Sequence, residues 1–182
     1  MGLLLVGAIV LVANRVRAVD GKAETPAHEF AQPTIDIGCF VSDPEASVKF
    51  YTEAIGFKEV RPFSVPGDFC KQVGLTAGEP LDNIRVLMLG DGPGSTKLKL
   101  SSIPGKRASA GKNEFVSSQY GFRYLSIYVR DIDAALARLQ KAGVTPLAHG
   151  PAEISKEIAE GVYLACVRDP DGNLIELLGP KK

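Results

Sequence analysis

The chain states one pattern twice. Residues 35–43 read Ile-Asp-Ile-Gly-Cys-Phe-Val-Ser-Asp, and a helical run follows that ends at Ile55-Gly56-Phe57. Residues 123–131 read Arg-Tyr-Leu-Ser-Ile-Tyr-Val-Arg-Asp, and a second helical run ends at Ala142-Gly143-Val144. Val41 and Asp43 recur at Val129 and Asp131 at the same offset. A repeat of this length is one supersecondary unit built twice, and a site is expected where the two copies meet. In each copy an alternating, β-branched strand segment (34–41 and 124–129) leads to an aspartate positioned to cap a helix. In the first copy Pro44 follows, a proline suited to the first helical position. Ala46, Phe50, Tyr51, Ala54 and Ile55 recur at helical spacing, as do Ile132, Ala135, Leu136, Leu139 and Ala142.

Three strands are expected after each helix. In the first copy these are 57–61, 84–89 and 97–101, with Asp91-Gly92-Pro93-Gly94 as the turn between the last two. In the second they are 144–148, 162–168 and 174–178, with Asp169-Pro170-Asp171-Gly172 as the turn. Each copy therefore reads β-α-β-β-β. One four-stranded sheet covered by one helix leaves its other face bare, so the two copies must share a surface. Residues 62–82 and 146–161 are long enough to be lids or binding loops. The segment from Pro104 to Gly121 joins the copies.

Composition narrows the classes of function. Lys+Arg and Asp+Glu are both 21, so the formal net charge is zero and nucleic acid is not an expected partner. Only two histidines occur, His28 and His149, which limits histidine metal chemistry. The three cysteines (Cys39, Cys70, Cys166) form neither a disulfide framework nor a CxxC metal motif. Cys39 and Cys166 lie in apolar strand segments and read as small core residues.

The N-terminus stands apart. Leu3–Ala13 is a nearly continuous apolar run, shorter than the about 20 residues that a membrane-spanning helix needs. Residues 1–18 read as a signal peptide or a membrane-proximal apolar segment, although Arg15 and Arg17 follow the run instead of preceding it. Residues 19–33 read as a linker. The expectation is export to the periplasm or the exterior, or tethering to a membrane through this segment alone; the alternative is a cytoplasmic protein with an extra helix.

From Thr34 onward the chain resembles the vicinal oxygen chelate superfamily, which includes glyoxalases, bleomycin-resistance proteins and extradiol dioxygenases. The resemblance rests on Val41-Ser42-Asp43, Phe50-Tyr51, Ile55-Gly56-Phe57 and Val129-Arg130-Asp131. Above all it rests on Asp169-Pro170-Asp171-Gly172-Asn173-Leu174-Ile175-Glu176-Leu177. It implies an α+β fold in which two βαβββ modules, residues 34–103 and 122–180 of a domain spanning 34–180, form an eight-stranded cup. The cup closes within one chain or across a homodimer.

In metal-using members the ligands come from the first and last strands of each module. Those positions here hold Asp36, Lys99, Tyr124 and Glu176. An ammonium has no lone pair to give a metal, and a neutral phenol is a poor ligand. No cofactor is therefore favoured; a divalent cation, if one binds, would be held by Asp36 and Glu176. Lys99, Tyr124 and Glu176 are the candidate catalytic residues, with Lys99 expected to bridge Asp36 and Glu176. Alternation along the strands adds Phe40, Lys97, Ser126 and Tyr128 to Asp36 as candidate ligand-binding residues. The expected function is small-molecule binding, or metal-independent chemistry, at a degenerate metal site. The alternative is a metal-dependent glyoxalase I-like lyase.

Overall fold

The computed structural model describes Phe30 and residues 32–182. The apolar segment 1–18, and all of the expected linker except Phe30, Gln32 and Pro33, lie outside the described residues. Among the described residues no helix is long and apolar enough to cross a membrane.

The repeat becomes two four-stranded sheets of the same topology. The first contains β1 (Asp36–Phe40), β2 (Lys58–Val65), β3 (Leu81–Met88) and β4 (Lys97–Ser101), in the order β1-β4-β3-β2. The second contains β5 (Tyr124–Tyr128), β6 (Ala152–Glu153), β7 (Val162–Arg168) and β8 (Leu174–Pro180), in the order β5-β8-β7-β6. In each sheet the first strand runs parallel to the last, and the other pairs are antiparallel. This is the α+β arrangement of two βαβββ modules.

The aspartate caps do what their spacing requires. The Asp43 side chain accepts from the backbone N–H of Glu45 and Ala46, opening helix α1 (Pro44–Lys49). The Asp131 carboxylate accepts from Asp133 and Ala134, opening α3 (Ile132–Lys141). Helix α1 continues as a π-helical segment, Phe50–Ile55. Its wider turn buries Phe50, Tyr51, Ala54 and Ile55 together. Gly56 ends it at φ 99°, in the left-handed region that glycine enters without a Cβ clash.

One core joins the modules. Val41, Leu98 and Leu100 of the first pack in a single cluster with Ile127, Ile175 and Leu177 of the second, and Ile37, Cys39 and Leu125 pack against it. Polar contacts lock the same seam. Arg138 on α3 donates from Nε to the Ala54 carbonyl at 3.0 Å and from Nη2 to the Ile55 carbonyl at 2.8 Å. These carbonyls are among those the helix end leaves without an intrahelical donor. The Tyr51 hydroxyl donates to Asp169 at 2.8 Å, and the backbone N–H of Ser42 donates to the Asp171 carboxylate. Asp169 also accepts from the N–H groups of Asp171 and Asn173 and from the Asn173 side chain. The Asp-Pro-Asp-Gly-Asn turn thus shapes itself and clasps the first module. Burial, and then the negative charge of Asp169, push the Tyr51 phenol far above its ordinary pKa, so it remains a donor.

Two expectations about strands are corrected. Residues 144–148 do not form the sixth strand; Leu147 makes one backbone bond to the Cys166 carbonyl, and the strand that pairs with β7 is Ala152–Glu153, extended by one bond from Ile154 to the Val162 carbonyl. The second strand does not stop at Arg61. It runs to Val65 through Pro62, which is tolerated because β2 is an edge strand with a register shift between Val60 and Phe63. The segment 62–82 is accordingly not one long loop. It carries the end of β2, a short helix α2 (Gly67–Gln72) and the start of β3.

Candidate functional site

The period of two along a strand sorts each sheet into a core face and an inner face. On β1 the inner residues are Asp36, Gly38 and Phe40; on β5 they are Tyr124, Ser126 and Tyr128. All six are exposed, while their neighbours in sequence are turned toward the core. Tyr124 and Tyr128 are 49% and 69% exposed, so these rings are available as walls of a site and are not packed as filler.

Register relates the two modules residue by residue. Asp36 lies beside Lys97 and Gly38 beside Lys99; Tyr124 lies beside Leu174 and Ser126 beside Glu176. Asp36 and Lys99 are therefore diagonal neighbours on their sheet, as Tyr124 and Glu176 are on theirs. In the first module this diagonal closes as an ion pair: Lys99 Nζ sits 2.8 Å from Asp36, with the side chains 34% and 28% exposed. The ammonium also lies 5.8 Å from the centre of the Phe63 ring. The Lys99 hydrogen bond, aided by the charges of Lys99 and Lys97, holds the Asp36 carboxyl below its ordinary value, against a smaller opposing effect of burial. In the second module the Glu176 carboxylate accepts from the Ser126 hydroxyl at 2.7 Å.

Lys99 does not bridge the modules. Among the described residues its ion-pair partner is Asp36 alone, and Glu176 has its own hydroxyl donor. The expected three-membered cluster is thus two separate pairs, each within one sheet, because each carboxylate finds a donor on its neighbouring strand. Nor do these residues fit a divalent cation. Asp36 is already neutralised by an ammonium, and the matching positions offer Lys99 and Tyr124. Among the described residues no group of three or more His, Cys, Asp or Glu is placed to hold a metal.

Two hollows lie against the inner faces. One, of about 400 Å³, is walled by Phe40, Gly38, Ser101, Leu75, Leu81 and Ile103. The larger, of about 640 Å³, rests on the second sheet. Its floor is Leu164, Cys166 and Arg168 of β7 with Leu174 of β8; its walls include Leu147, His149 and the segment 113–116 of the connection between modules. The connection is held over the sheet by two guanidinium groups. Arg168 donates to the carbonyls of Gly172 and Glu114, each at 2.7 Å. Arg123 donates to the carbonyls of Lys112, Phe115 and Val116 and to the Asn113 side chain.

Sequence reasoning did not single out Arg123, Arg168 or Leu164, and it placed Cys166 in the core. Cys166 instead faces the larger hollow, opposite Glu176 in register. Alternation along 162–168 could have put Leu164, Cys166 and Arg168 on one face; the apolar surroundings of Cys166 concealed it. Burial and the charge of Glu176 raise the Cys166 thiol, against a lowering by Arg168. Burial, then the charges of Asp169 and Asp171, push Cys39 up to about 11. Both are thiols at neutral pH and not thiolate nucleophiles. His149 stands exposed at the rim of the larger hollow.

Comparison with known proteins agrees with this architecture. The family model of the Glyoxalase/Bleomycin resistance protein/Dioxygenase superfamily matches residues 35–177. A glyoxalase family protein from Bacillus cereus is 21% identical, the match covering 86% of this chain and 99% of that one, with a TM-score of 0.63. A glyoxalase/dioxygenase from Nostoc punctiforme is 20% identical over 91% of this chain and 100% of that one, with a TM-score of 0.56. A virulence protein from Salmonella typhimurium is 24% identical over 80% and 94%, with a TM-score of 0.50. At these identities the likeness is one of fold. No curated protein matches the sequence.

Proposed function

The chain belongs to the Glyoxalase/Bleomycin resistance protein/Dioxygenase superfamily, and from that premise we propose that it binds a small, largely apolar molecule on its inner faces without a catalytic metal. The observation that carries this reading is the hollow of about 640 Å³ on the second sheet, floored by Leu164, Cys166 and Leu174. Its size falls in the range of about 300–1,000 Å³ usual for small-molecule sites, and apolar lining with a few polar groups is the usual composition. None of Lys97, Lys99, Tyr124, Ser126, Tyr128 and Glu176 lines that hollow, and Phe40 lines the smaller one; they are contacts only for a ligand long enough to extend beyond it along the inner faces.

Members of this superfamily often use a divalent metal, and a glyoxalase I-like lyase would need one, or a substitute, to stabilise an enediolate. The donor chemistry argues for the metal-free reading, since Lys99 engages Asp36 and Ser126 engages Glu176. Export or tethering through residues 1–18 is part of the same proposal; a fusion beginning at Met1 and recovered intact from the soluble cytoplasm would refute that part. The binding reading is tested by titrating the protein with the neutral fluorophore N-phenylnaphthylamine. Saturable binding is expected in the parent, and weaker binding in Leu164→Trp, whose indole would intrude on the floor of the hollow. Binding that is absent in the parent, or unchanged in the variant, defeats the reading.

A further inference from the structure

We propose that the larger hollow selects a largely apolar molecule that carries a carboxylate, with the charged group seated at Arg123 and Arg168. This rests on the reading of the hollow as a ligand site and adds the chemical class of what fills it. Both guanidiniums line the hollow, and neither lies within ion-pair distance of a carboxylate among the described residues. Every acceptor they meet is neutral: four backbone carbonyls and an amide oxygen in the connection, and the Gly172 carbonyl in the turn. Those bonds hold the two heads in place and leave their charge uncancelled.

An arginine has five N–H donors, so both heads retain capacity. Arg123 uses Nε and Nη2, and its Nη1 has no hydrogen-bond partner among the described residues. Glu114 also lines the hollow, but Arg168 meets its backbone carbonyl, and among the described residues no ion pair forms with its carboxylate; Glu176, opposite Cys166, already accepts from Ser126. A half-buried cation without a counter-charge is unfavourable in an apolar setting. A ligand carboxylate would relieve this, because a planar guanidinium fork matches a carboxylate in shape and in charge. Leu147, Leu164, Leu174 and Phe115 supply apolar surface around the rest of the molecule. Because the heads are already fixed by the connection, little side-chain entropy is lost when they engage.

The test uses the intact protein and two probes of one shape, naphthoate and its uncharged amide naphthamide, titrated by calorimetry. Naphthoate is expected to bind about tenfold or more tightly, since charge-assisted bonds are the stronger ones, and the preference should shrink as salt rises. In Arg123→Gln the ratio of naphthoate to naphthamide affinity should fall to near parity, whatever loss both probes share because the connection is less firmly held; Arg123→Lys, which keeps the charge, should retain part of the preference. Equal affinity of the parent for both probes overturns the carboxylate inference and leaves the apolar site standing. A naphthoate preference unchanged in both Arg123→Gln and Arg168→Gln overturns its placement at these residues. Binding of neither probe overturns the inference together with the reading it rests on.

Discussion

Lys99 is the residue on which the expected and the observed sites differ most. A buried pair that loses one partner is destabilised by about 3–5 kcal/mol, whereas an exposed pair contributes about 0–1 kcal/mol. With the Lys99 and Asp36 side chains 34% and 28% exposed, the second regime applies. Lys99→Met is therefore expected to lower stability at neutral pH by at most about 1 kcal/mol, measured by denaturant unfolding. The pH dependence has a definite sign. Asp36 is held below its ordinary value, so its contribution is present above the unfolded-state pKa and is lost as pH falls through the lower folded-state pKa. In Lys99→Met this acid-side loss should diminish, and the two stability curves should converge at low pH. Tyr51 belongs to the other regime. Its hydroxyl is buried and donates to the Asp169 carboxylate. Tyr51→Phe is expected to cost about 1.5–3 kcal/mol, the value of a hydrogen bond to a charged group. A loss below about 0.5 kcal/mol in the same assay would mean that the clasp between turn and first module contributes little.

At the scale of elements, the helix ends carry the repeat. Gly56 stops the first helical run at φ 99°, where a Cβ is disfavoured, so Gly56→Ala is expected to cost about 1–2 kcal/mol. Removing the cap that Arg138 places on the Ala54 and Ile55 carbonyls should cost a similar amount, and Arg138→Met read by thermal unfolding checks it. The elements that signal themselves locally were legible in the sequence. Asp43 and Asp131 announce helix starts, Asp169-Pro170-Asp171-Gly172 announces a turn, and alternation along β1 and β5 gives the side each residue faces. Contacts that depend on distant backbone left no such mark. The short pairing of Ala152–Glu153 with β7 replaces a more apolar segment, 144–148, that reads better as a strand but is held by one bond from Leu147. Arg123 and Arg168 reach carbonyls of the connection, and a carbonyl has the same sequence signature at every residue. The wall of the larger hollow was therefore hidden, although its floor on β7 obeys plain alternation.

At the scale of the whole molecule, the two modules share a core but keep their charged pairs apart. Asp36 with Lys99, and Ser126 with Glu176, are complete within their own sheets. Neither pair needs a bridging ion, and this is the ground for proposing a binding role over metal-assisted chemistry. The most direct test of metal-free binding is a calorimetric titration of the EDTA-treated, dialysed protein with naphthoate, repeated after zinc or magnesium is restored, with metal content measured on both samples. One ligand per chain, bound with the same affinity in the two samples, is the predicted result. Binding that appears only after a stoichiometric metal has been taken up would contradict it.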